Sequence, residues 1–431
     1  MLSKVNTICI LNCDTMFARS SLDRIGVVVL LAVFLLALPG PVSAGDLYTH
    51  ERENLTYTIG IYTDIFAVEE GRDGGFIIGG YTFIANTDEE AFLMKTDSDQ
   101  EVVWYETYPG SRIVAIQELD DGRIISASLE EWVHPDSPVA AITGSGYLQM
   151  TESDGAVIWR EELPGDAPGR ILVKGDEIIL VGWTWPPAED PEAVSGFFSR
   201  YDLTGTLLER EEYPDVSVHD IVETGDGGYV IVGNTGDPGS SPSVQYGHLT
   251  RITTDGEIKW RETYEGRSLF AITRMNEGYV IAGGTMPYGF QEGQAWALGV
   301  SSDLRLLWEE KLQGYAAYGV APYGDEFLIA GATGPGNPLI VTIQADGSGT
   351  HSKRLLEADG RFTAIAPLSD GSVAIGGWSR HTGGVEGWLL VFDPALVPKE
   401  PQPAEAAGFT LITAAIGLSG AAIWLRRREG H

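Results

Sequence analysis

The sequence has 431 residues, of which 61 are Asp or Glu and 28 are Lys or Arg, giving a formal net charge of -33. So strong a negative charge repels phosphate backbones, which excludes nucleic acid as a partner. Hydrophobic residues make up 43% and the 54 glycines are spread along the chain, so general disorder is excluded and a globular fold with many tight turns is indicated.

The N-terminal segment has the features of a secretory signal. A basic region, an apolar run over residues 25–38 and a short stretch of small residues follow one another. We expect cleavage between Ala44 and Gly45, which makes residues 1–44 a signal peptide. An uncleaved N-terminal anchor is the alternative interpretation, and Met16 is an alternative start of translation.

Both cysteines precede that cleavage point. They are Cys9 and Cys13, so the mature chain would contain no thiol, no disulfide and no cysteine-ligated metal. Stability must then come from burial and packing alone.

Two features lie close to the mature N-terminus. Residues 47–61 have a strand-like composition but belong to no repeat of their own. Within them, Asn54, Leu55 and Thr56 form an N-x-[ST] sequon, which makes Asn54 a glycosylation candidate in an exported protein.

One pattern recurs through residues 45–397. A glycine-containing turn leads into an apolar strand ending in Gly-x-Thr, and a variable segment, a second apolar strand, an Asp-containing turn and a strand bearing Trp follow. The copies are about 50 residues apart, the period of propeller blades with four strands each. Seven copies are found, beginning at Asp73, Asp121, Asp176, Asp226, Glu277, Asp325 and Asp370.

The repeat predicts an all-β fold, a seven-bladed β-propeller of four-stranded antiparallel blades. Asp-Gly between alternating apolar runs is a strong hairpin signal, because the favoured turn needs positive φ at both central positions. The seventh copy lacks a fourth strand, so we expect residues 47–61 to complete the last blade and close the ring. Residues 398–407 form a Pro- and Glu-rich linker after it.

A tryptophan ends the second half of several copies, at Trp104, Trp159, Trp260 and Trp308. These units resemble the quinoprotein-type propeller repeat, and that resemblance implies that the tryptophans pack between neighbouring blades. A quinone cofactor would need a calcium-binding carboxylate cluster and, in many members of that family, a vicinal disulfide. The mature chain has no cysteine, so we predict no cofactor.

The long insertions all fall between the second and third strands of the copies, which places them on one face of a propeller. Aromatic side chains beside carboxylates on this rim suit stacking on sugars or docking of a protein. The alternative is that these rings plug their own loops and seal the channel mouth. The ligand-binding candidates are Trp132, His134, Trp183, Trp185, Tyr246, Tyr288, Phe290 and Trp378.

No catalytic or metal-binding motif is found. The seven histidines occur singly without zinc-ligand spacing, and no G-x-S-x-G sequence is present, so we predict no metal site. The favoured function is a non-enzymatic propeller that binds a protein or glycan partner in the cell envelope. The alternative is an extracellular polysaccharide hydrolase or lyase with its site at the central channel.

The C-terminal segment has the features of a membrane anchor. Residues 408–425 are apolar, and at about 1.5 Å per residue they can just cross a bilayer as a helix. The basic tail, residues 426–431, contains Arg426, Arg427 and Arg428, which would stay on the cytoplasmic side. We therefore expect a cell-surface protein whose partner at this end is the membrane.

The same tail resembles the PGF-CTERM sorting signal of archaeal surface proteins. The resemblance rests on Ala407, Gly408 and Phe409, the apolar segment and the terminal arginines; Ala407 stands where the family has proline. It implies an archaeosortase-like processing enzyme as a partner and a lipid that replaces the helix. A plain stop-transfer helix explains the same pattern.

Overall fold

The computed structural model describes residues 51–83, 89–133, 142–185, 194–235, 246–285, 293–334, 337–349, 351–354, 359–381 and 384–393. Every regular element in these ranges is a β-strand. The predicted signal segment and the predicted membrane segment lie outside the described residues. Within the described part of the chain, no helix is long and apolar enough to span a membrane.

The strands are numbered in chain order. The first nine are β1 (Glu51–Tyr57), β2 (Tyr62–Glu70), β3 (Phe76–Phe83), β4 (Glu89–Thr96), β5 (Val102–Tyr108), β6 (Arg112–Glu118), β7 (Ile124–Val133), β8 (Ile142–Thr151) and β9 (Val157–Pro164). The next eight are β10 (Asp166–Lys174), β11 (Glu177–Thr184), β12 (Ser195–Asp202), β13 (Leu207–Pro214), β14 (Ser217–Glu223), β15 (Tyr229–Asn234), β16 (Tyr246–Ile252) and β17 (Ile258–Glu265). The rest are β18 (Ser268–Met275), β19 (Gly278–Thr285), β20 (Gln294–Ser301), β21 (Leu306–Lys311), β22 (Ala316–Tyr323), β23 (Glu326–Ala332), β24 (Pro338–Gln344), β25 (His351–Arg354), β26 (Asp359–Pro367), β27 (Val373–His381) and β28 (Gly384–Phe392).

Strands that follow one another along the chain pair as antiparallel meanders. We name the resulting groups unit 1 (β2–β5), unit 2 (β6–β9), unit 3 (β10–β13), unit 4 (β14–β17), unit 5 (β18–β21), unit 6 (β22–β25) and unit 7 (β26–β28). A fourth strand joins unit 7 from the other end of the chain, because β1 pairs antiparallel with β28. One parallel bridge, Tyr62 with Val385, merges units 7 and 1 into an eight-stranded sheet. The prediction of an all-β fold built from four-stranded antiparallel sheets is confirmed.

The units are arranged in a circle. The first strand of each unit contacts the first strand of the next, from β2 through β6, β10, β14, β18 and β22 to β26, and β26 contacts β2. The hydrophobic core is correspondingly divided into clusters, each formed between two consecutive units. This is a propeller-like arrangement, in which the first strands surround a central channel.

Both faces of the second and third strands are buried, which explains the continuous apolar runs of the repeat. In β3, Phe76 and Ile78 belong to the cluster shared with unit 7, whereas Ile77 belongs to the cluster shared with unit 2. Since successive side chains of a strand point to opposite faces, a sheet between two neighbours needs apolar residues at every position.

In six of the seven units, the glycine of Gly-x-Thr faces the first strand where that strand has a bulge. Each first strand has a bulge at the same place, such as between Ile65 and Ala67 in β2. The carbonyl group of the residue just before this bulge approaches the facing glycine. A Cβ at Gly80 would lie 2.0 Å from the carbonyl oxygen of Asp64. The corresponding glycines of other units meet the same obstacle: Gly182, Gly233, Gly283, Gly331 and Gly377. Unit 2 has Ser128 at this position.

The tryptophans of the outer strands bind the next unit. The indole N–H of Trp104 donates to the carbonyl oxygen of Ser153 at 2.9 Å. Trp159 and Trp308 make the same type of bond, to Leu203 and Ala345. The predicted packing role is confirmed for these three tryptophans, whereas Trp260 is 36% exposed.

Units 7 and 1 are joined by polar contacts in addition to their shared core. The Thr363 hydroxyl donates to the carbonyl oxygen of Ile65. Glu70 accepts from both the backbone N–H and the hydroxyl of Ser369, at 2.6 and 2.9 Å. On β1, Asn54 is exposed, and its Oδ1 accepts a hydrogen bond from the Trp388 indole at 2.8 Å. Glycosylation of Asn54 stays a prediction.

Candidate functional site

A cavity of about 900 Å³ occupies the channel between the first strands. Its walls come mainly from β2, β6, β10, β14, β18, β22 and β26, and second strands contribute a few residues, among them Trp183 of unit 3. This volume lies within the range of small-molecule sites, roughly 300–1,000 Å³.

The bulged residues of the first strands form a ring around this cavity. They are Phe66, Val114, Gly169, His219, Phe270, Tyr318 and Thr363. A bulge leaves one residue unpaired and re-aims its side chain, and each of these residues is half-buried and follows a fully buried one. In six units the bulge therefore turns one variable side chain toward the channel, whereas unit 3 has Gly169 at this position.

One side of the ring is aromatic. Trp183 lies 5.2 Å from His219, His219 lies 5.7 Å from Phe270, and Phe270 lies 5.7 Å from Tyr318, measured between ring centroids. Tilted and edge contacts of this kind stabilise pairs of rings. The result is a continuous aromatic wall that runs across units 3 to 6.

The other side of the ring carries guanidinium groups. Arg112 and Arg361 both lie over the ring of Phe66, 5.1 and 5.6 Å from its centroid. Nη2 of Arg361 donates to Oδ2 of Asp64 at 3.1 Å, and the Asp64 side chain is only 2% exposed. Burial raises the pKa of Asp64 to about 7, although Arg361 and Arg112 act to lower it. The Arg361 guanidinium is thus paired with a carboxyl that is only partly ionised near pH 7.

Three polar atoms at this end of the channel are buried without a hydrogen-bond partner among the described residues: Asp64 Oδ1, Arg361 Nε and Trp183 Nε1. Each such atom costs about 1–3 kcal/mol. Buried polar groups are otherwise almost always satisfied in folded proteins. These three atoms therefore mark this end of the channel as a candidate site.

Two further carboxylates of the channel, those of Glu69 and Asp220, form hydrogen bonds to neighbouring units. Glu69 accepts from the Gln117 side chain and from the backbone N–H of Glu118, both at 2.8 Å. Burial raises its pKa to about 7. Asp220 accepts from the backbone N–H groups of Ile221 and Ile272 at 2.9 Å.

The ion pairing of Asp220 is weaker than its backbone bonds. Arg170 Nε lies 3.6 Å from Asp220 Oδ1. Burial raises the pKa of Asp220, and the charge of Arg170 opposes this. The carboxylates of Glu69 and Asp220 thus have their oxygens bound within the ring.

His219 is the histidine of the channel ring. Its Nε2 lies 3.1 Å from the Ser217 hydroxyl, and its ring is held between Trp183 and Phe270. Burial lowers the pKa of His219 to about 4, so the ring is neutral at pH 7. The sequence does not predict that His219 faces the channel, because the bulge in β14 contains no glycine or proline that would indicate it.

Of the eight rim candidates, the structure brings Trp183 and Trp185 together. Their ring centroids are 6.2 Å apart, and only Trp183 lines the channel. Tyr246 begins β16, and Trp378 lies in β27 beneath the Arg380 guanidinium. Neither of these two makes a ring contact with the tryptophan pair among the described residues.

The other four rim candidates fall wholly or partly outside the described residues. The backbone of Trp132 lies in β7, but its side chain is outside the described set. His134, Tyr288 and Phe290 lie outside it entirely. Among the His, Cys, Asp and Glu residues that the structure does describe, no group of three is placed to hold a metal ion.

The fold is similar to solved propellers. The WD40 β-propeller domain of Doa1 has a TM-score of 0.51 at 8% identity, covering 79% of this chain and 96% of that one. The Dos1 propeller has a TM-score of 0.49 at 13% identity, covering 81% and 97%. Sqt1 of Chaetomium thermophilum, solved bound to the N-terminus of ribosomal protein L10, has 0.45 at 13%, covering 78% and 98%.

The likeness to Doa1 confirms the propeller fold and shows nothing further about this chain. No protein family matches the sequence, and no curated protein does. Because one fold hosts many functions, the function depends on the chemistry of the site.

Proposed function

We propose that each unit is one blade of a seven-bladed propeller, and that this propeller is a non-enzymatic binding module outside the cell. Its partner is a protein or glycan of the cell envelope, bound at the channel mouth on the face of the long insertions. The circular contacts of the first strands and the pairing of β1 with β28 support the closed ring.

One observation carries the proposal: three buried polar atoms without partners among the described residues lie at the level of the channel where the long insertions attach. Asp64 and Arg361 lie opposite Tyr81 and Trp378 in the strand register, just before the second strands end. Trp183 has the same place in unit 3. Aromatic rings and a few convergent polar groups in a concavity are the usual composition of a ligand site.

The channel carboxylates favour binding over hydrolysis. A glycosidase needs one carboxylate to act as acid and another to act as base or nucleophile. Glu69 and Asp220 already accept backbone hydrogen bonds from the next unit, so they hold the ring together. Of the other carboxylates, Glu70 accepts from Ser369 of unit 7 and Glu223 pairs with Lys174 of unit 3. Asp64 pairs with Arg361.

The proposed location rests on the two ends of the chain. Residues 1–44 would direct export, and residues 408–425 would hold the protein in the membrane until an archaeosortase-like enzyme replaces them with a lipid. Removing residues 408–431 should release the protein into the medium. Sedimentation of that truncated protein with washed membranes would contradict the anchor.

The binding role is tested with the full chain against envelope glycans and envelope proteins. Trp185→Ala, on the long-insertion face, should weaken binding. Trp260→Ala, on an outer strand, is the matched control and should leave binding unchanged. Loss of binding in the control alone would contradict the proposed face, and release of reducing sugar from a polysaccharide would support the hydrolase instead.

A further inference from the structure

The two walls of the channel differ in a way that specifies a ligand. The aromatic wall of Trp183, His219, Phe270 and Tyr318 stands in units 3 to 6. The guanidinium groups of Arg112 and Arg361 stand in units 2 and 7, on either side of unit 1 in the ring. A ligand that uses both walls needs an apolar face and an anionic group.

Arg361 is placed to bind an anion. Its side chain is 40% exposed although its partner Asp64 is buried. Among the described residues, its guanidinium donates only one hydrogen bond, from Nη2 to Asp64. A guanidinium has five donors in a planar fork that matches a carboxylate, so Arg361 keeps donors for a second carboxylate.

The charge balance favours a ligand with one negative charge. Arg361 pairs with Asp64, whose buried carboxyl is only partly ionised near pH 7, so this partner neutralises the guanidinium charge of Arg361 only in part. The whole chain carries -33, which repels a long polyanion over its length. A single carboxylate gains the local attraction without that general repulsion.

The three polar atoms that have no partner in the described part of the chain suit hydroxyl groups on the ligand. Trp183 Nε1 and Arg361 Nε are donors, whereas Asp64 Oδ1 is an acceptor when ionised. A hydroxyl both donates and accepts, and it therefore suits this mixture. The C–H face of a sugar ring also suits an aromatic wall.

We propose that the channel mouth binds a carboxylate-bearing sugar, a uronic acid, with its carboxylate on Arg112 and Arg361 and its ring against the aromatic wall. This inference deepens the proposed function and rests on it. The cavity of about 900 Å³ accommodates one or two sugar residues, so the ligand is the acidic end of a glycan rather than its length.

The test is calorimetric titration of the full chain in detergent with methyl glucuronide, methyl glucoside and a short peptide with a free C-terminal carboxylate. Methyl glucuronide should bind at least about tenfold more tightly than the neutral glucoside. Equal binding of the two sugars would overturn the inference. Binding of the peptide without the glucuronide would also overturn it and indicate a protein carboxylate as the ligand.

Variants locate the binding site. Arg112→Gln should remove the preference for the glucuronide. The double variant Arg361→Gln with Asp64→Asn should also remove it, and it leaves no unpaired carboxyl that could disturb folding. Arg305→Gln changes an arginine that is 83% exposed and pairs with Asp303 in a tight turn; it should change nothing. Retention of the preference in both channel variants would overturn the inference.

The outcomes also separate the two proposals. If the Trp185→Ala protein loses envelope binding but no variant of the chain distinguishes the two sugars, the proposed function stands and the uronic acid is wrong. If neither envelope partner nor sugar binds, both proposals fail.

Discussion

Arg361 donates a hydrogen bond to Asp64 across 3.1 Å, although 297 residues separate them in the chain. The bond connects the first strand of unit 7 with the first strand of unit 1, and it lies in the wall of the channel. The pair therefore contributes to ring closure and to the candidate site at once.

Ring closure depends on β1. Deleting residues 51–57 should lower the melting temperature strongly, because β28 loses its outer partner and Tyr57 leaves the core shared by units 7 and 1. Deleting residues 238–244, which lie in an insertion, removes the same length of chain and is the control. Circular dichroism melts of both proteins check this, and equal melting temperatures would contradict closure through β1.

The inter-unit tryptophans provide a second test. Trp308→Ala should lower the free energy of unfolding by about 2–4 kcal/mol, since Trp308 bonds to Ala345 and its ring fills the space over Gly347. Trp260→Ala is the matched control: it is 36% exposed and should cost clearly less. Denaturant titration followed by circular dichroism measures both, and a larger loss for Trp260 would show that the assigned packing role is wrong.

Alanine substitutions at the position opposite the bulge test the steric role of its glycine. Gly331→Ala would place a Cβ 2.1 Å from the Ala316 carbonyl oxygen, so the backbone must shift and the protein should be destabilised by several kcal/mol. Ser128→Ala, at the same position of unit 2, removes a buried hydroxyl without a partner among the described residues and should be neutral or stabilising. Tolerance of alanine at both positions would contradict the steric explanation.

The pH dependence of stability distinguishes His219 from Asp64. Burial lowers the pKa of His219 from 6.5 to about 4, so the folded protein binds fewer protons than the unfolded chain between those two pH values. The contribution of His219 is therefore present above pH 6.5 and is lost as the pH falls toward 4. His219→Phe should gain stability over the natural chain in that window, by at most about 1.4 kcal/mol per pH unit.

Asp64 should show the opposite sign. Burial raises its pKa from 3.8 to about 7, so the folded protein binds more protons than the unfolded chain between those values. The natural chain should lose stability relative to Asp64→Asn as the pH rises from about 4 to about 7. Denaturant titrations at about pH 4, 5.5 and 7 measure both differences, and slopes of the same sign would contradict the burial of one of the two groups.

The sequence predicts the units well because their signals are local. Asp-Gly turns and apolar runs specify each hairpin, and Trp104 and Trp308 carry a packing role that their position in the repeat indicates. The pairing of β1 with β28 follows from the copy that lacks a strand.

The site is less predictable because it depends on non-local features. A bulge changes the alternation of a strand by one residue, so the sequence around His219 does not indicate that its side chain faces the channel. An alignment of the seven first strands would indicate the bulged position, because this variable residue follows a buried apolar residue in every unit. The pairing of Arg361 with Asp64 requires the ring to close in a particular register, which neither segment encodes alone.

The central claim is that the channel mouth on the long-insertion face is the ligand site. Photo-crosslinking tests it most directly: the full chain is irradiated with a glucuronide that carries a diazirine, and the labelled peptides are identified by mass spectrometry. We predict labels on the first strands that carry Arg112, His219 and Arg361. Labels confined to the outer strands, at exposed residues such as Val103 and Leu307, would contradict the account.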